Sequence, residues 1–226
     1  ALDAKDALRC IRRVERLCLA NPSVQFLVVD SSTNTTLLHT RSTSCVRSTF
    51  GQLYGNDMAR QLAESSAAHN AVSATLLICP PSQGAISKAM QWVFVNGRYV
   101  KHATLEKFVN EVFRRAMAYS DLDGAADGVP ALSQPAAASS SLLSLSQQSN
   151  SASRARKRQA IFIIQLALSA ADFDVTFEPD KTGVMFQHWD DVVAAVSNAL
   201  EGCLYQADPD LKAHHLAIFR LAGVEN

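Results

Sequence analysis

The chain has 226 residues, 48% of them apolar, and its 21 basic side chains are balanced by 21 acidic ones. That suits one packed domain, or one domain with a long insertion. The lack of a long unbroken apolar run argues against a membrane span, and zero net charge argues against a strongly basic nucleic-acid binder. Five scattered cysteines without a C-x-x-C pair speak against a disulfide framework and against a zinc site. Cys10, Cys18 and Cys79 read as small core hydrophobes in a reducing compartment. The opening ALDAKDALRC has no signal-peptide layout and reads as the inside of a helix, as a cut at a domain boundary would.

In chain order, residues 4–20 predict a helix, with Asp3 as N-cap and Ala7, Leu8, Ile11, Val14 and Cys18 at helical spacing. Asn21-Pro22 stops it. VQFLVVD (24–30) and LLHTRS (37–42) predict two strands of a hairpin around the turn-rich SSTNTT. Val46, Phe50, Leu53 and Tyr54 mark a short helix closed by Gly55. AVSATLLICP (71–80) and MQWVFVNGRYV (90–100) read as strands, the second carrying a tight bend or bulge at Asn96-Gly97. Thr104 can cap a helix whose apolar face runs through Leu105, Phe108, Val109, Val112, Phe113 and Ala116. Residues 120–158, with SSSLLSLSQQSNSAS at their centre, have the composition of a disordered insertion. Strands follow at 159–169, 173–179 and 183–186. Next comes a helix from Trp189 to Leu200 with Gly202 as its stop, and then a further helix or tail over 209–226. Helices packed on one face of a sheet are the natural architecture for this order.

Charge is unevenly spread. Residues 84–119 carry Lys88, Arg98, Lys101, Lys107, Arg114 and Arg115 against Glu106 and Glu111, a net +4. RARKR at 154–158 adds +4, while 171–226 holds ten acidic residues against three basic ones, a net −7. Charge alone favours an ordinary solvated face over a phosphate site. Catalytic signatures are scarce, with no P-loop, dinucleotide fingerprint, nucleophile elbow or H-E-x-x-H. His214-His215 is the only histidine pair, and adjacent helical residues diverge by about 100°. Asp190-Asp191 at a helix start reads as capping.

Two segments rise above this background: FVNGRYV (94–100) followed by Lys101 and a helix, and FEPDKTG (177–183) between strands and before a helix. On physical grounds the second is a turn stiffened by Pro179, with Lys181 at its tip. A lysine so held can contact a phosphate, although a solvated turn lysine is the commoner outcome.

Taken in order, these pieces resemble the transducer domain of the MutL family of DNA mismatch-repair ATPases. Its pattern is a strand F-V-N-x-R followed by basic residues and a helix, then a P-x-K loop, a short strand ending in Phe and another helix. Ala20-Asn21-Pro22 and FGQLYG (50–55) also fit, so the resemblance covers residues 8–202 outside the insertion. The wording of EPDKTGVMFQHWDD, MQWVFVNGR and FGQLYG is similar to the third eukaryotic branch of the family, the one linked to meiotic crossing-over.

The resemblance implies an α+β fold like ribosomal protein S5 domain 2, a mixed sheet with helices mainly on one face. It would occupy residues 1–208, with 209–226 as a C-terminal helix or tail. It implies that Lys181 reaches into an adjacent GHKL-type nucleotide-binding domain and contacts the γ-phosphate of ATP. The other ATP and Mg²⁺ ligands would lie in that domain, so this chain alone would not be an enzyme. It implies weak, sequence-independent DNA contact through Arg98 and Lys101, with Lys107, Arg114 and Arg115 behind them. Some bacterial members carry an arginine where this chain has Ala103, which implies a DNA contact that is either weaker or shifted to Lys101 and His102. It further implies a nuclear protein that forms a heterodimer with another MutL homologue. RARKR stays open between nuclear targeting, a DNA-brushing arm and the basic end of a loop. A competing reading keeps the S5-like fold as a protein-interaction module with no DNA or nucleotide role.

Overall fold

A computed structural model of the chain describes residues 4–123, 158–174 and 183–219. Helix α1 (Ala4–Ala20) leads into a hairpin of β1 (Phe26–Asp30) and β2 (Thr35–Thr40). Helices α2 (Val46–Tyr54) and α3 (Asn56–Gln61) follow, then strands β3 (Ala63–His69), β4 (Val72–Ile78), β5 (Gln91–Val95) and β6 (Arg98–Val100). Next come α4 (Ala103–Asp123), β7 (Phe162–Ala167), the short β8 (Phe173–Asp174) and β9 (Met185–Phe186), α5 (Trp189–Ala207) and α6 (His215–Phe219).

Five strands form one sheet in the order β3-β4-β7-β5-β6. β5 pairs with β7 in parallel, and the other neighbours are antiparallel. The strand that follows the insertion therefore fills a central slot between β4 and β5. Its sequence explains why. Phe162, Ile163, Ile164 and Leu166 are all buried, as a strand covered on both faces requires.

The register divides the sheet into two faces. Leu76, Ile78, Phe162, Ile164, Gln91 and Val93 share one, and Leu77, Ile163, Trp92 and Phe94 the other. The two longest helices lie on the first face. Asn110 of α4 bonds Gln91 there, and Cys203 of α5 meets the Leu76 carbonyl at 3.3 Å. One end of the second face is covered by α2, whose Phe50 and Tyr54 rings lie 6.1 and 5.4 Å from Trp92. Toward β3 that face is polar, with Ser66 bonded to Thr75 at 2.8 Å. Helices mainly on one face of a mixed sheet is thus the observed architecture. Full burial of Phe50, Phe94, Phe113 and Phe162 contributes about 1.5–3 kcal/mol each.

Several sequence expectations are corrected. MQWVFVNGRYV is a hairpin of two strands, since Asn96 and Gly97 take φ of 48° and 78° and turn the chain. Strand β3, AESSAAH, was not expected, because its small and polar residues carry no strand propensity. Tertiary contacts hold it: Arg47 of α2 donates to the carbonyls of Ala59 and Leu62 and pairs with Glu64 at 2.9 Å. Helix α3, just before it, was also not expected. Gly202 does not end α5. It lies inside that helix, where an added Cβ would sit 2.3 Å from the Ser65 hydroxyl, so glycine permits the close approach of α5 to β3. The cap of α4 is His102 rather than Thr104, because the Leu105 N–H donates to His102 Nδ1 at 3.2 Å. Helix α4 runs on to Asp123, so residues 120–123 are helical, while 124–157 of the expected insertion lie outside the described residues. Of the strand expected over 173–179, residues 175–179 lie outside them too, as does Asp3. Cys10 is exposed, unlike buried Cys18, Cys79 and Cys203. Leu211 and Ile218 are fully buried, so 209–219 packs into the common core.

Candidate functional site

The FVNGR segment is built around Asn96. Its backbone is left-handed, and its side-chain amide donates to the Leu168 carbonyl at 2.9 Å while accepting from the Leu168 N–H at 3.1 Å. A glycine could make the turn, but only a short amide can also tie it to the end of β7. Beyond the turn, β6 is the edge of the sheet. Arg98 is exposed at its start. Tyr99 packs edge-on against Phe94, and the Arg16 guanidinium lies 4.1 Å above the Tyr99 ring.

Lys101 is exposed and forms a parallel bridge with Gly183. Gly183 follows Lys181-Thr182 in the chain. The last residue of the second segment singled out in the sequence therefore lies beside the end of β6. Lys101 and Lys88 both act on Glu106. Burial pushes the Glu106 carboxyl above its usual range, and the two ammonium groups pull it back.

His102 joins the same place from the other side. Its ring stacks on Trp189 at 4.7 Å between centroids and lies 5.3 Å from Phe186. Because Nδ1 accepts the Leu105 N–H, the neutral ring carries its proton on Nε2. Burial pushes its pKa below the ordinary histidine value. One side chain thus links the end of β6, the start of α4 and the start of α5.

The other cations lie farther along. Lys107 is exposed on α4. Arg114 and Arg115 both engage Glu111, at 2.7 and 3.1 Å, and Arg115 also donates to the Ile218 carbonyl at 3.4 Å. The pairs with Glu111 stay within α4, and the Arg115 bond to Ile218 ties α4 to α6. Lys181 lies outside the described residues, as do 154–157 of RARKR. Arg158 donates to the Ser82 carbonyl at 2.8 Å. Sequence reading passed over Arg16, whose helical spacing carries no sign that it crosses to β6. It counted Lys88 only as charge, though Lys88 lies close enough to Glu106 to act on it beside Lys101.

The remaining singled-out groups have structural partners. Asp191 accepts from Asn70 at 2.7 Å and lies 3.6 Å from His69. His214 stacks on Tyr119 at 4.4 Å, and His215 bonds the Tyr205 hydroxyl at 2.6 Å. Among the described residues no group of His, Cys, Asp and Glu could hold a metal, and no helix is long and apolar enough to cross a membrane.

Residues 50–122 match the family model described as "DNA mismatch repair protein, C-terminal domain". Over 198 residues, 86% of its length, the chain is 27% identical to the human DNA mismatch repair protein Mlh3, of which it spans 12%. It is 28% identical over 109 residues to the DNA mismatch repair protein MutL of Thermoanaerobacter sp. (strain X514), spanning 17% of that protein and using 48% of its own length. In structure it is similar to the N-terminal domain of a DNA repair protein, with a TM-score of 0.57 at 17% identity, covering 95% of this chain and 56% of that one. The family match starts at Phe50 of FGQLYG and takes in the whole β5–β6 hairpin with its FVNGR motif and nearly all of α4. In sequence the chain is thus similar to MutL-type DNA mismatch-repair proteins, and its fold is the S5 domain 2-like α+β arrangement of a mixed sheet with helices mainly on one face.

Proposed function

We propose that this chain is the module through which nucleotide state and DNA contact are coupled in a larger MutL homologue. Lys181 contacts the γ-phosphate of ATP bound, with its Mg²⁺, in an adjacent GHKL-type ATPase domain. Arg98 and Lys101 contact the DNA backbone without sequence preference, with Lys107, Arg114 and Arg115 as outer candidates. The observation that carries the reading is the Lys101–Gly183 bridge at the edge of β6, which joins the strand of the DNA candidates to the residue that ends the EPDKTG segment. The electrostatic logic is simple. ATP offers Lys181 a terminal phosphate that ADP lacks, so the contact biases domain geometry toward the ATP state. A cation at the sheet edge attracts phosphates regardless of base sequence. The same reading places the full protein in the nucleus, as one half of a heterodimer with another MutL homologue, in mismatch repair or meiotic recombination.

The test uses the full-length protein. Lys181→Ala weakens ATP binding by roughly tenfold or more, as loss of one charge-assisted contact does, and Lys181→Arg restores part of it. Unchanged ATP affinity and turnover in Lys181→Ala contradict the reading. The isolated chain hydrolyses no ATP; turnover by the purified chain that Lys181→Ala abolishes contradicts it equally.

A further inference from the structure

Ile86 is 90% exposed, more than any other large apolar side chain among the described residues. The loop that carries it is held on both sides. The Ala85 N–H donates to the Gln159 carbonyl at 2.8 Å, and the Gln159 N–H returns a bond to Ala85 at 2.7 Å. Gly84 is pressed against the fold so closely that a Cβ would lie 2.9 Å from the Phe113 ring and 3.1 Å from Arg158 and Gln159. On the far side, Ser87 caps a 3₁₀ turn, Lys88–Met90, by accepting the Ala89 N–H at 3.4 Å. Ile86 is therefore an apolar tip on a fixed backbone, not a side chain left over by a loose loop.

Its surroundings say what it fits. A protein-docking surface needs a contiguous apolar patch. The exposed neighbours are Ser82, Gln83, Ser87, Lys88 and Ala89, which are polar or small. Cations belong to the same region: Lys88 two residues along the loop, Lys101 acting with it on Glu106, and Arg158 bonded to the carbonyl of Ser82 in the same loop. A lone apolar projection among phosphate-seeking cations is the arrangement of a wedge that enters between base steps while basic groups hold the flanking backbone.

We propose that Ile86 inserts as an apolar wedge at a weakened base step of duplex DNA, with Lys88 and Lys101 on the adjacent phosphates. This rests on the DNA-contact reading above and adds a contact to the bases themselves. Such a wedge works against stacking, so it favours a step whose stacking is already poor, as at a mismatch.

The experiment measures binding of the whole chain to a labelled duplex, fully paired or with one central mismatch flanked by 2-aminopurine. The wild-type chain binds the mismatched duplex roughly three- to tenfold more tightly and raises the 2-aminopurine fluorescence. Ile86→Ser removes both the preference and the fluorescence rise while keeping the salt dependence, and Ile86→Leu keeps all three. A wild-type preference in Ile86→Ser overturns the wedge, as does equal binding of both duplexes by the wild-type chain. Self-association lost in Ile86→Ser, with DNA binding unchanged, also overturns it and marks a protein contact. Lys88→Glu with Lys101→Glu separates the two levels. If it weakens binding while Ile86→Ser changes nothing, only the wedge fails; if it too changes nothing, the DNA-contact reading fails with it.

Discussion

Asn96 holds a left-handed backbone and closes two hydrogen bonds onto Leu168, so it fixes where β6 leaves the sheet. Asn96→Ala loses both bonds and puts in the left-handed backbone a residue without the short polar side chain that tolerates it. A destabilisation of about 2–3 kcal/mol in chemical denaturation is expected, against under 1 kcal/mol if the turn does not depend on the amide. The turn was legible in the sequence because Asn-Gly states its own geometry. Gly202 shows the opposite case. Its neighbours in the sequence suggest a helix stop, and only the approach of Ser65, distant in the chain, gives it another purpose. Gly202→Ala gains about 1 kcal/mol of helix propensity. The overpacking against Ser65 outweighs it, because the Ser65 Cβ, 3.0 Å from the new methyl, is fixed to a strand backbone. A net loss of stability is the expected outcome, and a gain would show that α5 can move off β3.

At the scale of elements, the meeting of β6, α4 and α5 at His102 makes a pH prediction. The folded pKa of His102 lies below its ordinary value of about 6.5. The unfolded chain therefore takes up a proton first as pH falls, and stability declines from near neutrality down to the folded pKa, below which the loss is complete. His102→Asn keeps a capping side chain but cannot titrate. The variant is less stable at neutral pH through loss of the stack on Trp189, and its stability falls less steeply as pH drops through the ordinary histidine range. Parallel curves for the two proteins would show that His102 is not held neutral. A second junction is the buried amide pair. Gln91 bonds Asn110 at 2.9 Å and the Ala160 carbonyl at 2.9 Å, and Asn110 accepts the Ala160 N–H at 3.0 Å. It fastens the segment entering β7 to β5 and α4. Gln91→Leu strands buried polar groups, and about 2–4 kcal/mol of stability should be lost. Neither junction could be read from the sequence, since each joins residues far apart in the chain. Helix α1, the hairpin β1–β2, β4, β5 and β7 were legible because their apolar spacing is regular. β3 and α3 were not, because small polar residues in AESSAAH and the six residues of α3 give no periodic signal.

Over the whole molecule, the fold brings the strand of one weak sequence signal to the last residue of the other. FVNGRYVK and EPDKTG are separated by the insertion and by β7, and either alone reads as an ordinary turn with a solvated cation. The parallel bridge from Lys101 reaches Gly183, the last residue of the second segment, and Arg16 and Lys88 arrive from elements that the sequence did not connect with β6. The order of these motifs made the resemblance to mismatch-repair proteins legible. Lys181 itself lies outside the described residues. The account depends most on the edge of β6 being a phosphate-contacting surface. The direct measurement is the salt dependence of duplex binding by the chain, wild type against Arg98→Glu with Lys101→Glu. The account predicts sequence-independent binding that fades with salt, with a slope of log affinity on log salt made shallower by about 2 in the double variant. An affinity insensitive to salt, or identical slopes for the two proteins, would contradict it.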